Sequence, residues 1–164
     1  MNLLNKKYFK EDLNTDIDGK KWQFILSFVI NKTNIMEFRV DIANTNDEIQ
    51  NKIVAAEKYI KHLGFSKNII EIFATNFYYH KLYSWNYIIA RLSLDSKLKN
   101  KVCSYKTLVD FVLKNDSDIF DPAFYFDDTA LLWTVTSMGY ANILLSEKQR
   151  NLLIRQGFVL EGTP

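Results

Sequence analysis

Apolar and other residues alternate most regularly between Trp22 and Ile42. Trp22, Phe24, Leu26, Phe28 and Ile30 alternate with Gln23, Ile25, Ser27 and Val29, and Asn31-Lys32-Thr33-Asn34 then supplies turn chemistry. In the next run Met36, Phe38, Val40 and Ile42 alternate with Glu37, Arg39 and Asp41. A period of two is the signature of strands, and two such runs around a polar turn predict an antiparallel β-hairpin. The second arm reads as half-solvated, with its charges on one face. The first is apolar on both faces and reads as a strand covered on two sides.

Helical periods follow. Thr45-Asn46-Asp47-Glu48 has capping-box spacing, Ile49, Ile53, Ala56, Ile60 and Leu63 share one helical face, and Gly64 supplies a stop. Tyr78, Leu82, Trp85, Ile89 and Leu92 form a second helical stripe, preceded by Ile69 to Phe73, which fits helix or strand. Ser104 can cap a third helix that buries Tyr105, Leu108, Val109, Val112 and Leu113 and leaves Lys106 and Asp110 outside. Residues 130–145 are apolar nearly all round and read as a buried helix. Ser146-Glu147-Lys148-Gln149 repeats the capping box, Gly157 ends that helix, and Phe158-Val159-Leu160 fits a last short strand. The pattern predicts one α+β domain over residues 1–164, an N-terminal antiparallel β-hairpin packed with about four to five helices.

Composition narrows the class. With 48% hydrophobic and 24% charged residues in 164, the chain has the make-up of an ordinary globular domain rather than a disordered one. Its start lacks the apolar core of a secretory signal and no apolar run has the length of a membrane span, so a cytoplasmic protein with no membrane association is expected. Cys103 is the single cysteine, which excludes an internal disulfide and reads as a small buried hydrophobe. His62 and His80 are the two imidazoles and stand in no metal-ligand spacing. The five glycines are scattered, without a phosphate-cradling loop, and no cofactor or metal is expected. The tail from Gly157 to Thr163 resembles the end of GNAT-type N-acetyltransferases over seven residues; that family's Arg/Gln-x-x-Gly-x-Gly/Ala stretch is nowhere in the chain, and no activity is carried over.

Net charge is +2, so local charge decides the function classes. Between Lys52 and Lys101 nine cations face three carboxylates, interleaved with Phe73, Phe77, Tyr78, Tyr79, Tyr83, Trp85 and Tyr87. Such a mixture can bind nucleic acid through phosphate contacts and base stacking, but the helical stripe turns most of these rings inward, and weak, non-specific binding is expected. The acidic counterpart is Asp110, Asp116, Asp118, Asp121, Asp127 and Asp128. It lacks the glycine and glutamate of a calcium loop and reads either as a solvated loop with helix caps or as an interface.

The interface reading joins Asp116, Asp118, Asp121, Asp127 and Asp128 with Phe120, Phe124, Tyr125 and Phe126, in a segment that Pro122 biases away from helix. Carboxylates would steer a basic partner and the rings would anchor it. The expected function is a stoichiometric protein-binding inhibitor or antidote, of the kind of an immunity protein or a phage-encoded inhibitor, whose partner is a toxin or effector with a basic surface; catalysis is not expected. The alternatives are a small enzyme using Asp121, Asp127 and Asp128, or a nucleic-acid binder using the basic aromatic half.

Overall fold

A computed structural model describes residues 8–14, 19–42, 48–78, 81–113 and 118–160. Among the described residues seven strands form one antiparallel sheet: β1 (Tyr8–Asn14), β2 (Ile35–Val40), β3 (Ile69–Tyr78), β4 (Lys81–Ser93), β5 (Ile119–Phe126), β6 (Thr129–Val135) and β7 (Tyr140–Ser146), in the order β1-β7-β6-β5-β2-β4-β3. Five helices accompany it among the described residues: α1 (Gly19–Val29), α2 (Ile49–His62), α3 (Ser96–Ser104), α4 (Leu108–Leu113) and α5 (Glu147–Arg155). None is long and apolar enough to cross a membrane.

The mixed α+β content is present, but the hairpin expected over Trp22–Ile42 is not. Its first arm is α1. Trp22, Ile25, Leu26 and Val29 fall at i, i+3, i+4 and i+7, and all four are buried in the core. In a run as apolar as this one a helical stripe and a strand alternation coexist, and the stripe found the partner. The second arm does form a strand, β2. It lies between β4 and β5, which are distant in sequence, rather than beside its neighbour in the chain.

Two other expected helices are strands. Tyr78, Leu82, Trp85, Ile89 and Leu92 lie in β3 and β4, and the segment 130–145 folds as β6, a 3-10 turn over Thr136–Met138, and β7. Gly139, at φ 57°, lets the chain reverse into β7. Ser104 ends α3 instead of starting a helix, and Asp95 caps α3 by accepting from the Leu98 N–H at 2.8 Å. Val109 is exposed, as is Cys103, contrary to the buried positions expected for them. Residues 158–160 form no strand; Phe158 is buried and stacks on Phe24 at 6.0 Å. The Ile49–His62 helix is as expected, while the cap proposed at Thr45 lies outside the described residues.

The capping box at Ser146 is present in full: the Gln149 N–H is directed at Ser146 Oγ, and the Ser146 N–H donates to Gln149 Oε1 at 3.0 Å. Replacing Ser146 by alanine is therefore expected to lower stability by about 1 kcal/mol. Urea unfolding checks this, and an unchanged midpoint would show that α5 is held by Leu153 alone.

The two faces of the sheet differ. Met36, Phe38 and Val40 of β2 share a face with Ile88, Ala90 and Leu92 of β4, with Ile119 and Phe124 of β5, and with Leu132, Ile143 and Leu145. The helices close over this face, adding Trp22, Ile25, Ile60, Leu108, Phe111 and Leu153 to the same core; the Phe38 and Phe111 rings meet edge-on at 6.1 Å. Side chains at the alternate positions point to the opposite face, away from that core.

Candidate functional site

The face away from the helices carries Glu37, Arg39, Glu71 and Arg91. Glu37 and Arg39 are the alternate residues of β2 and pair in register with Arg91 and Ile89 of β4, and Arg91 pairs with Glu71 of β3. One guanidinium thereby serves three carboxylates. Arg91 Nε lies 3.6 Å from Glu37 Oε1, Nη1 lies 3.6 Å from Glu71 Oε1, and Nη2 lies 3.2 Å from Asp128 Oδ1. Tyr125 sits beside Glu37, hydrogen-bonded to its carboxylate, and its ring lies 5.8 Å from the Arg91 guanidinium carbon.

Arg39 makes a second centre. Its guanidinium carbon lies 5.0 Å from the ring of Tyr87 and 4.8 Å from that of Phe120, and its Nε lies 3.5 Å from Asp121 Oδ2. A bulge in β5 places Asp121 there. Glu37 pairs with Ala123 and Arg39 with Phe120, so Asp121 and Pro122 together oppose Phe38. Proline has no N–H to give a ladder, and a bulge is where a central strand tolerates it. Asp121 takes φ 56° at this point. That conformation is held from both sides: its N–H donates to Thr136 Oγ1 at 2.8 Å, and its Oδ1 accepts from the Thr136 N–H at 2.7 Å.

Burial dominates the electrostatics. It pushes the Glu37 carboxyl above its ordinary range, against the opposing pull of the Tyr125 hydrogen bond and of Arg91, while the nearby Glu71 charge pushes it further up. Burial likewise raises Asp121, opposed by the Thr136 hydrogen bond and by Arg39. Tyr125 is raised by burial and then by the Glu37 charge, so its hydroxyl stays a donor throughout the physiological range.

The segment expected to be an acidic interface loop is mostly strand β5 and its turn into β6, and its residues are dispersed. Phe124 is wholly buried on the helical side against Met36 and Leu132. Tyr125, half-buried, belongs to the opposite face. Asp121 is buried in the Arg39–Thr136 arrangement. Asp127 and Asp128 are exposed in the turn: Asp127 Oδ1 accepts from Asn34 Nδ2 at 2.8 Å, and Asp128 reaches Arg91. Asp118 is half-buried before β5, and its carbonyl accepts from the Asp41 N–H at 2.9 Å. Asp116 lies outside the described residues. The three carboxylates of the enzymatic alternative, Asp121, Asp127 and Asp128, are thus each held by a different partner. Among the described residues no group of three or more His, Cys, Asp or Glu could hold a metal ion.

The basic aromatic half is also divided. Tyr87 and Phe73 stand with Arg91 on the face away from the helices, Phe77 is exposed towards the end of β3, and His80 and the side chains of Tyr78, Tyr79, Tyr83 and Trp85 lie outside what is described. Sequence reasoning missed Glu37, Glu71, Arg39 and Arg91 as a set, together with Trp133 and Asn142 on the same face. The alternation of Glu37 and Arg39 signalled a charged face, but nothing local signals which distant strands bring the counter-charges.

No known protein family, curated protein or solved structure matches this chain.

Proposed function

We propose that the chain is a stoichiometric binder of one protein partner, acting as an inhibitor or antidote, and that it engages this partner through the sheet face away from the helices. The observation that carries the reading is the make-up of that face: Tyr87 lies against Arg39 and Tyr125 against Arg91, and these rings and Trp133 are each partly buried rather than sealed in the core. Tryptophan, tyrosine and arginine are the residues that dominate binding energy at protein interfaces. Ion pairs and ring contacts already hold both arginines in place, so little side-chain freedom remains to be lost on association. Phosphate binding would call on free cations, whereas both guanidiniums here face carboxylates within 3.6 Å, which favours a protein over a nucleic acid.

The test is recovery of a partner from the native host on the immobilised chain, with the mass of the eluted complex measured by light scattering. A complex of fixed ratio is expected with the wild type. It should be lost with Trp133→Glu, assayed below that variant's melting transition, which the charge at this partly buried position lowers. Retention of the same partner by that variant would place the interface elsewhere, and absence of any fixed-ratio complex would remove the reading.

A further inference from the structure

The two arginines of this face are not used alike. Arg91 has a carboxylate against each of its guanidinium nitrogens: Glu37 at Nε, Glu71 at Nη1 and Asp128 at Nη2. Arg39 has Asp121 alone, 3.5 Å from Nε, a separation beyond a normal hydrogen bond. A guanidinium carries five N–H donors in one plane, and the four on Nη1 and Nη2 of Arg39 have no acceptor among the described residues. The side chain is 21% exposed; Nε is shut off from solvent, and the Nη end is not.

This guanidinium is held from three sides. β2 runs between β4 and β5, and each flanking strand supplies one ring: Tyr87 lies 5.0 Å and Phe120 4.8 Å from the guanidinium carbon. The third side is Asp121, which reaches Nε because β5 bulges in mid-sheet and keeps an aspartate at φ 56°. Bulges re-aim side chains beside functional sites, and a non-glycine residue in the left-handed region stores strain there. An apolar side chain would fill the space between the rings without burying a charge, so folding alone gives little reason for a guanidinium at this position.

We propose that Arg39 is the anchor for an aspartate or glutamate side chain of the partner protein, whose carboxylate is taken end-on by Nη1 and Nη2. Asp121 occupies the Nε edge, and the remaining edge of the planar fork matches a carboxylate with two parallel hydrogen bonds. The sign is opposite to that of the basic partner surface expected from the aspartates of this segment. Asp121, Asp127 and Asp128 are each engaged within the chain, and the donors left over belong to a cation. The proposal rests on the reading of this face as a protein-binding surface and adds the chemistry of what it binds.

Heteronuclear NMR on the full chain tests it, with acetyl-glutamate-amide as the probe, a blocked amino acid whose single charge is a side-chain carboxylate. Nε of Arg39 is shut off from solvent, so its proton exchanges slowly and serves as the reporter. At constant ionic strength this signal should shift saturably, with half-saturation on the order of 10 mM, as for one charge-assisted pair. The Nε–H signal of Arg91, whose guanidinium is filled, should not follow it, and neither acetyl-glutamine-amide nor chloride should move either signal. Arg39→Lys assigns the signal by its loss. It keeps a cation beside Asp121 without the fork, and backbone amides of Tyr87 and Phe120 that respond in the wild type should no longer do so. A response at Arg39 that does not saturate, an equal response at Arg91, or an equal effect of acetyl-glutamine-amide overturns the anchor, and these wild-type readouts decide whether or not the variant folds. An undiminished response in a folded Arg39→Lys overturns it as well. Half-saturation by inorganic phosphate below that of the glutamate probe would assign the fork to a phosphoryl group and overturn the carboxylate. The titration needs no native partner. If it fails while Trp133→Glu still releases the captured partner, only the anchor is wrong; if that variant retains the partner, the reading of the face falls as well.

Discussion

Replacing Phe124 by alanine is expected to destabilise the protein by about 3–5 kcal/mol, the range for deleting a fully buried aromatic side chain. Phe124 is wholly buried, paired in register with Met36 on one side and Leu132 on the other, so its ring lies in the core beneath the helices. For a domain of this length each kcal/mol lowers the melting temperature by roughly 2–4 °C, so a fall of about 6–20 °C should appear in calorimetry. Phe126, two residues on, is 36% exposed and serves as the control; its alanine variant should change stability by less than about 1 kcal/mol. An interface anchor would behave in the opposite way, losing the partner while keeping its melting temperature. A Phe124→Ala protein that melts as the wild type does would refute the placement of β5.

The second large effect is expected at Arg91. Its replacement by methionine keeps the apolar stem but strips Glu37 of the guanidinium 3.6 Å away. The buried carboxylate then either persists without a counter-charge or takes up a proton. Protonation sets the ceiling on the cost: for a carboxyl of ordinary value 4.5 it amounts to about 3 kcal/mol at pH 7. A destabilisation of about 2–3 kcal/mol at neutral pH is therefore expected.

The pH dependence follows from the sign of the shift. Burial already raises Glu37 in the folded protein, and loss of Arg91 raises it further. A carboxyl raised on folding binds its proton more tightly in the folded state. Its contribution to stability is thus present below the unfolded value near 4.5 and is lost as pH rises through the folded value. Arg91→Met should accordingly regain stability relative to wild type as pH falls from neutral towards 4.5, read as the difference in urea midpoints. Asp121 and Asp95 titrate in both proteins and largely cancel from that difference. Adding Glu37→Gln should abolish the pH dependence of the difference; a loss of stability that is the same at every pH would mean that Arg91 acts by packing alone.

The sites of both predictions illustrate what can be read locally and what cannot. Glu37 and Arg39 alternate with Met36, Phe38 and Val40, and that alternation alone assigns β2 a charged face and an apolar face. It cannot say that Arg91, 54 residues further along the chain, lies opposite Glu37, because pairing between strands is set by which apolar faces find each other. Phe124 and Tyr125 look equivalent as aromatic neighbours among aspartates. In a strand adjacent side chains point to opposite faces, so one is core and the other belongs to the face away from the helices.

Where the sequence carried two periods at once, it was ambiguous. Residues 22–30 satisfy a strand alternation and a helical stripe together, and residues 130–145 are apolar nearly all round, so periodicity could not choose in either place. Burial did: a helix at 22–29 lays Trp22, Ile25, Leu26 and Val29 on the sheet, while the second segment supplies two strands that extend the sheet from β5 to β1. What the sequence by itself determined are the features built from a few consecutive residues: the α2 stripe, the Ser146 capping box, the two-faced β2, and an α+β chain with a single cysteine. Only the tertiary structure decided the strand order, the bulge that turns Asp121 towards Arg39, and the gathering of Glu37, Glu71 and Asp128 around Arg91. The physical reason is one of range: caps and helical stripes are satisfied within a turn or two of chain, whereas a ladder and its ion pairs exist only after segments far apart in sequence have been brought side by side.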